Sequence, residues 1–217
     1  MKILAVEFSS EQRSVAIVAN GEVLGHAMEA GGRTARAFAL IDRALSAAGL
    51  EREAIDCLAI GLGPGSYAGI RAAIALAQGW QLAREVRLLG LGSVECLAEQ
   101  ARTAKLTGPL NILIDAQRGE FYSATYELDA TGCRLLQPLR IISLAEAQSL
   151  GETGSLIIGP DLLPRFPQGQ VHFPDASTLG QLAAKRTNFV TGDKLEPIYL
   201  RETSFVKAPP LRVIPSA

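Results

Sequence analysis

Residues 57–77 read CLAIGLGPGSYAGIRAAIALA, and this stretch gives the order of a strand, a glycine-rich turn and a helix. The apolar run from Cys57 to Ile60 is typical of a short buried strand. The turn GLGPG (61–65) supplies backbone conformations that other residues rarely adopt. Ser66 is a suitable N-cap, because its hydroxyl can accept from the free N–H groups of the first helical turn.

The glycine turn has two interpretations. A glycine loop that leads into a helix N-terminus can bind an anion, because free N–H groups and the helix dipole both point there. However, GPGSYAGIR lacks the Gly-Lys-Ser/Thr of a P-loop, and Ser66 stands at the third glycine position of GxGxxG. The turn is therefore either a tight strand-to-helix connection or a phosphate cradle.

Composition excludes several classes of protein. A chain of 217 residues with 48% hydrophobic residues and a net charge of -1 is typical of a globular protein without the basic excess that nucleic-acid binding requires. No apolar run predicts a membrane span, and the opening MKILAVEFSS predicts a strand rather than a signal peptide. Three widely spaced cysteines and the absence of HxxxH and HExxH predict a cytoplasmic protein with free thiols and no metal site.

Hydrophobic periodicity and turn residues predict the remaining elements. The first half is predicted to contain strands at Lys2–Val6, Ser14–Ala19, Glu22–Met28 and Val86–Leu91, and helices at Thr34–Ala48, Ala68–Ala83 and Ser93–Thr103, the last capped by Ser93. Asn20-Gly21 predicts a hairpin turn. The second half is predicted to contain strands at Asn111–Ile114, Glu120–Leu128, Arg134–Leu139 and Ser155–Ile158, helices after Ser143 and at Ser177–Arg186, and an extended segment at Pro197–Arg201.

The two halves echo each other. ILAVE with its turn and SVAIVANGEVL is matched by NILID with its turn and FYSATYELDATGCRLL, and CLAIGLGPG is matched by SLIIGPD. Either these are common patterns that coincide, or the chain duplicates a βββαβ unit. We favour duplication, which predicts an α/β protein resembling the ribonuclease-H-like fold of the actin and sugar-kinase (ASKHA) superfamily. Residues 1–105 would form the N-terminal lobe, and 106–217 a reduced C-terminal lobe with a loosely ordered tail.

Several motifs together resemble one family. They are GLGPGSYAGIR (61–71) with the following AIALAQGW, IDAQRGEFY (114–122), PIYLR (197–201) and the opening ILAVEFSS. Their order and spacing resemble the bacterial tRNA threonylcarbamoyladenosine biosynthesis protein TsaB (YeaZ) family, which belongs to a glycoprotease-like superfamily. Glu7 departs from the family pattern, which usually has Asp at that position.

The resemblance implies a non-catalytic, cytoplasmic subunit that binds a TsaD-like transferase and recruits a TsaE-like ATPase for modification of adenosine 37 in tRNA. It implies a possible homodimer, contact with tRNA only through the complex, and no cofactor, metal or membrane. The alternative is an ATP- and Mg-dependent enzyme of the sugar-kinase type that uses Glu7 and Asp115. A metallopeptidase is not expected without the HxxxH pair. The nucleotide-binding candidates are Glu7, Gly63, Gly65, Ser66 and Asp115.

The helix GIRAAIALAQGWQLA (69–83) is apolar nearly all round, so it must be covered on two sides. Its cover is either the chain's own second lobe or another protein, and the family resemblance favours a partner held by this helix and the one before it. Trp80 is either an anchor of that interface or a residue of its own lobe. The predicted interface residues are Arg36, Ala37, Leu40, Ala44, Ile70, Ala73, Ile74, Ala77 and Trp80.

Overall fold

The computed structural model describes residues 1–30, 37–152 and 154–201. The first half contains β1 (Lys2–Glu7), β2 (Gln12–Ala19), β3 (Glu22–Ala30), α1 (Ala37–Ala48), β4 (Cys57–Gly61), α2 (Tyr67–Ala83), β5 (Arg87–Leu91) and α3 (Ser93–Thr103). The second half contains β6 (Gly108–Asp115), β7 (Glu120–Leu128), β8 (Cys133–Ser143), α4 (Leu144–Glu152), β9 (Leu156–Gly159), β10 (Gln170–Val171) and α5 (Ala176–Ala183). The predicted helix start at Thr34 lies outside the described residues.

The two halves build the same sheet twice. The first sheet has the order β3-β2-β1-β4-β5, and the second has the order β8-β7-β6-β9-β10. In each sheet the first three strands pair antiparallel and the last two are added parallel. This repetition of order and direction confirms the predicted duplication. We call the two sheets with their covering helices the first and second lobes.

The second lobe is the reduced copy, as predicted. Its two parallel strands are short, since β9 has four residues and β10 only two. Between them, where the first lobe has the long helix α2, residues 160–169 form turns. The hairpin prediction also holds, because Asn20 and Gly21 both have positive φ, at 53° and 81°.

The helices that cover the sheets are exchanged between the lobes. Helices α1 and α2 pack on one face of the first sheet, and α5, from the second half of the chain, covers its other face through Ala176, Leu179 and Ala183. Helix α3 packs instead on the second sheet, and α4 covers the opposite face of that sheet. The predicted division at residue 105 therefore separates the two sheets but not the helices that pack on them.

Candidate functional site

Four of the sequence motifs quoted above, GLGPGSYAGIR, IDAQRGEFY, PIYLR and ILAVEFSS, meet at a cleft between the lobes with a volume of ≈ 880 Å³. Its walls come from the β1–β2 turn, the start of α2, the end of β6 with the β6–β7 turn, and the segment after α5. The lining residues include Ser9, Ser10, Glu11, Gly65, Ser66, Tyr67, Arg71, Asp115, Gln117, Arg118, Tyr122, Asp161, Tyr199 and Arg201. The cleft is thus the place where residues far apart in sequence come together.

Glu7, predicted as a nucleotide-binding carboxylate, does not line this cleft. It ends β1 and is completely buried. Its Oε1 accepts a hydrogen bond from the backbone N–H of Ser9 at 2.8 Å, and its Oε2 accepts one from the Ser93 hydroxyl at 3.0 Å. Burial raises the pKa of Glu7 above its ordinary value of 4.5, although the hydrogen bonds act in the opposite direction. The alternative of a sugar-kinase-type enzyme therefore lacks one of its two carboxylates at the cleft.

Ser93 was predicted to cap α3, and this is wrong. The N-cap position is Gly92, which gives no side-chain cap, and the Ser93 hydroxyl is turned to Glu7 instead. Since β1 belongs to the first sheet and α3 packs on the second, the Ser93–Glu7 hydrogen bond joins the end of one sheet to a helix of the other lobe. Glu7 has a structural role in this arrangement.

The Glu7→Gln substitution is expected to change the pH dependence of stability. In the folded chain Glu7 holds its proton to higher pH than in the unfolded chain, so the folded chain binds more protons between the two pKa values. Stability contributed by this group is therefore full below the unfolded pKa and falls as pH rises, by at most about 1.4 kcal/mol per pH unit. Glutamine keeps an acceptor for the Ser9 N–H and does not ionise.

Urea unfolding of both proteins between about pH 4 and about pH 8 measures this effect, because that range lies above the ordinary carboxyl pKa. The difference between the two curves isolates Glu7, because every other titrating group is shared. The free energy of unfolding of the glutamine variant should decline less with rising pH than that of the wild type. Parallel curves would show that Glu7 ionises equally in both states.

The glycine turn packs against the chain's own backbone. Gly65 has a φ of 146°, and a Cβ there would lie 2.0 Å from the Ser9 carbonyl oxygen. A Cβ at Gly69, in the first turn of α2, would lie 2.0 Å from the Phe8 carbonyl oxygen. The N–H of Ser66 donates to the same Ser9 oxygen at 2.6 Å. These close contacts explain why glycine is needed at both positions. The glycines allow a tight strand-to-helix connection in which α2 packs against the β1–β2 turn.

The predicted N-cap is confirmed, since Ser66 Oγ accepts from the N–H of Gly69 at 3.3 Å. Of the other nucleotide-binding candidates, Gly65 and Ser66 line the cleft. Gly63 does not; its carbonyl oxygen accepts from the N–H of Ser93 at 2.8 Å, in the link to α3 described above. Nucleotide binding by these residues stays a prediction.

Asp115 lines the cleft at the end of β6, and nucleotide binding by it stays a prediction. Its Oδ1 accepts from the N–H of Gln117 at 2.7 Å, and its Oδ2 lies 3.7 Å from the Arg165 guanidinium. Asp161 stands nearby; burial raises its pKa, and the charges of Glu11 and Asp115 add to that effect. Among the described residues, no group of three or more His, Cys, Asp or Glu side chains is arranged to hold a metal ion.

Sequence reasoning missed the aromatic and arginine contacts at the mouth of the cleft. Tyr67 and Tyr199 stack with ring centroids 5.6 Å apart and planes inclined by 23°. The Arg71 guanidinium lies over the Tyr67 ring, 4.1 Å from its centroid. All three residues belong to the quoted motifs, so the motifs themselves were the available signal. What the sequence could not show is that GPGSYAGIR and PIYLR touch.

Most of the predicted interface residues face inward in the isolated chain, and their contact with a partner stays a prediction. Arg36 lies outside the described residues. Ala37 and Trp80 are partly buried against the core of the first lobe, and the Trp80 indole N–H has no hydrogen-bond partner among the described residues. The residues that are buried in that core are Leu40, Ala44, Ile70, Ala73, Ile74 and Ala77. Substituting Ala73→Arg or Ile74→Glu would therefore place a charge inside the first lobe instead of testing a surface.

The opposite sides of α1 and α2 are exposed; that of α2 is rich in small residues, whereas that of α1 mixes apolar with polar and charged residues. On α2 the exposed residues are Tyr67, Ala68, Arg71, Ala72, Ala75, Gly79, Leu82 and Ala83, and on α1 they are Phe38, Ala39, Asp42, Arg43, Ser46 and Ala47. We call this surface the α1–α2 face. Two large apolar side chains stand out on it, since Phe38 is 62% exposed and Leu82 is 91% exposed. The sequence predicts a second apolar side on these helices. In the structure that side consists of other residues than the predicted interface residues.

Across residues 1–30, 37–152 and 154–201, none of the helices combines the length and hydropathy that a membrane crossing requires.

Comparison with known proteins agrees with the motifs. Over residues 33–203 the chain matches a family model described as TsaD, tRNA N6-adenosine threonylcarbamoyltransferase. It is 30% identical over 221 residues to the tRNA threonylcarbamoyladenosine biosynthesis protein TsaB of Escherichia coli, an alignment that covers 93% of this chain and 95% of that protein. The protein of the same name from Haemophilus influenzae is 26% identical, with 96% and 98% coverage.

The solved structure of YeaZ from Pseudomonas aeruginosa has the same fold. It superposes with a TM-score of 0.75 at 26% identity, covering 92% of this chain and 99% of that one. Alignment over nearly the full length of these relatives leaves no large segment of either chain unmatched. The chain belongs to the TsaB (YeaZ) family.

Proposed function

We propose that this chain is a non-catalytic subunit of the assembly that adds a threonylcarbamoyl group to adenosine 37 of tRNA, and that it binds a TsaD-like transferase through the α1–α2 face. The observation that carries the proposal is that face itself, because α2 has an exposed side made largely of alanine and glycine and α1 adds the exposed Phe38. Family membership supports the pathway, since the relatives bear the name of threonylcarbamoyladenosine biosynthesis.

The chemistry of the face suits a helical partner. Ala68, Ala72 and Ala75 follow one another along the exposed side of α2, and Gly79 continues the row with nothing within 4 Å of its Cβ position. Small side chains let a second helix approach closely. The exposed Phe38 and Leu82 offer bulk at the margins. An apolar surface of this kind also promotes self-association, so a homodimer through the same face would compete with the transferase.

A subunit role also suits the cleft. Glu7 is buried and held by Ser9 and Ser93, and Asp115 already contacts Gln117 and Arg165. We therefore assign the transfer chemistry to the TsaD-like partner, and the role of support and recruitment of a TsaE-like ATPase to this chain. Contact with tRNA would come through the complex, which acts in the cytoplasm where tRNA is modified.

Ala75→Arg is expected to remove partner binding. Ala75 lies at the centre of the exposed arc of α2, so an arginine there would bring an unpaired charge into the apolar contact and weaken binding by roughly 100-fold or more. The matched control is Ala104→Arg, at an exposed alanine that follows α3 away from the α1–α2 face. The measurement is titration calorimetry against the TsaD homologue of the same host, with formation of threonylcarbamoyladenosine by the reconstituted components as a second readout.

Both variants should keep the wild-type thermal midpoint, because both side chains project into solvent in the isolated chain. Equal affinities for Ala75→Arg and Ala104→Arg would show that the partner binds elsewhere. Threonylcarbamoyladenosine formation by the isolated chain, without a transferase, would overturn its assignment as non-catalytic.

A further inference from the structure

The segment Pro197–Arg201, which we call the strap, connects the two lobes across the mouth of the cleft. The residues that precede the strap are held on the first lobe by hydrogen bonds. Upstream, the backbone N–H and C=O of Gly192 bond to the side chains of Gln81 and Gln78 on α2, both at 2.8 Å. Within the strap, the N–H of Ile198 donates to the Leu62 carbonyl oxygen at 2.9 Å. The strap therefore starts from a firm position beside α2.

Its far end holds the β6–β7 turn of the second lobe. The Arg201 guanidinium donates to the carbonyl oxygens of Ala116 at 3.0 Å and Gln117 at 3.4 Å, and it pairs with the Glu120 carboxylate. This turn is under backbone strain, because Gln117 and Arg118 have successive φ values of 66° and 59°, which residues other than glycine rarely adopt. Such a conformation persists only where the surroundings fix it, and Arg201 supplies three of those contacts.

The middle of the strap meets the α1–α2 face. Tyr199 stacks on Tyr67, and the Arg71 guanidinium lies over the Tyr67 ring. Tyr67, Arg71 and Ala75 are four residues apart along α2, so they are neighbours on its exposed side. Tyr67 is 57% exposed and Tyr199 is 40% exposed, so a protein that covers the helix row also reaches the stack.

We propose that the Tyr67–Tyr199 stack is a further contact zone for the TsaD-like partner and that the strap couples this contact to the second lobe through Arg201. The inference rests on the proposed function for the identity of the partner. Tyr199 and Arg201 are only two residues apart, so a partner that immobilises the tyrosine also restricts the arginine. Docking on the first lobe thereby steadies the β6–β7 turn and the width of the cleft.

The first test uses the isolated chain. Hydrogen exchange is measured at the amides of Ala116 and Glu120, whose hydrogen bonds close the turn. In Arg201→Ala these amides are expected to exchange roughly 10-fold faster than in the wild type, because the local opening becomes easier. The control is Arg140→Ala, which removes an exposed arginine–glutamate pair that lies entirely within the second lobe. Equal exchange in Arg201→Ala and Arg140→Ala overturns the role of Arg201.

The second test adds the TsaD homologue at saturating concentration. In the wild type the same two amides are expected to slow on binding, whereas in Arg201→Ala the partner binds and the amides do not slow. Slowing that persists in Arg201→Ala means direct cover by the partner and overturns the coupling. Binding to the wild type without any slowing overturns it too, and leaves the proposed function standing. Failure of the wild type to bind overturns the proposed function, and the coupling with it.

Discussion

Gly69→Ala is expected to destabilise the protein by about 2 kcal/mol, while Gly79→Ala in the same helix stabilises it by up to about 1 kcal/mol. Both glycines lie inside α2, and each alanine gains the same helix propensity. The difference is in the space around them. A Cβ at Gly69 would lie 2.0 Å from the carbonyl oxygen of Phe8, whereas a Cβ at Gly79 has nothing within 4 Å.

The cost at Gly69 is large because the atom in the way belongs to the backbone. Phe8 is completely buried and follows directly on β1, so the chain there cannot move aside without shifting the first sheet. Relief has to come from lifting the start of α2, which disturbs Ile70 and the buried residues beyond it. Overpacking of this kind costs about 1–3 kcal/mol, more than the propensity gained.

Urea unfolding of the isolated chain, followed by far-UV circular dichroism, measures both variants against the wild type. If Gly69→Ala were as stable as Gly79→Ala, close packing on the β1–β2 turn would not be the reason for the glycine at position 69.

Most of the fold follows from the sequence because its signals are local and repeated. Asn20-Gly21 marks the first hairpin, Ser66 marks the start of α2, and the echo between the two halves gives the second sheet the order of the first. The pattern at Ser177–Arg186 likewise predicts a helix, found at Ala176–Ala183. Periodicity cannot tell which sheet a helix covers, and so the exchange of α3 and α5 was not foreseen.

The candidate site was harder to predict, because it depends on which way side chains point. Helix α2 is apolar nearly all round, so its pattern fits two opposite orientations. The sequence favoured Ala73 and Ala77 as partner residues, and the structure buries both while leaving Leu82 in solvent. The size of a side chain therefore does not show which side of α2 faces the sheet, since small side chains are buried where the sheet and the helix approach closely.

Glu7 shows a second limit of prediction from the sequence. A carboxylate at the end of a strand suggests a ligand site, and only the fold reveals that Ser93, 86 residues away, turns its hydroxyl to it. Long-range partners of this kind leave no mark in a single sequence. The same holds for Tyr67 and Tyr199, which are in contact at the mouth of the cleft although they belong to separate motifs.

Leu179→Ala is expected to destabilise the whole chain by about 2–5 kcal/mol. Leu179 of α5 is completely buried against the first sheet, beside Ala5, Ala16 and Leu89. The surrounding sheet and helix leave little freedom to close the resulting cavity. The control is Leu163→Ala, a leucine from the same half of the chain that is 61% exposed, for which a change within about 0.5 kcal/mol is expected.

The exchange of helices gives this variant a second expected result. Because α5 covers the first sheet while α3 covers the second, neither lobe keeps its own core when the other unfolds. Fluorescence of Trp80, the chain's single tryptophan, reports on the first lobe, and far-UV circular dichroism reports on both. Their urea transitions should coincide in the wild type and move together in Leu179→Ala. A second dichroism transition that Leu179→Ala leaves in place would mean that the second lobe is stable by itself and that α3 contributes little to joining the two.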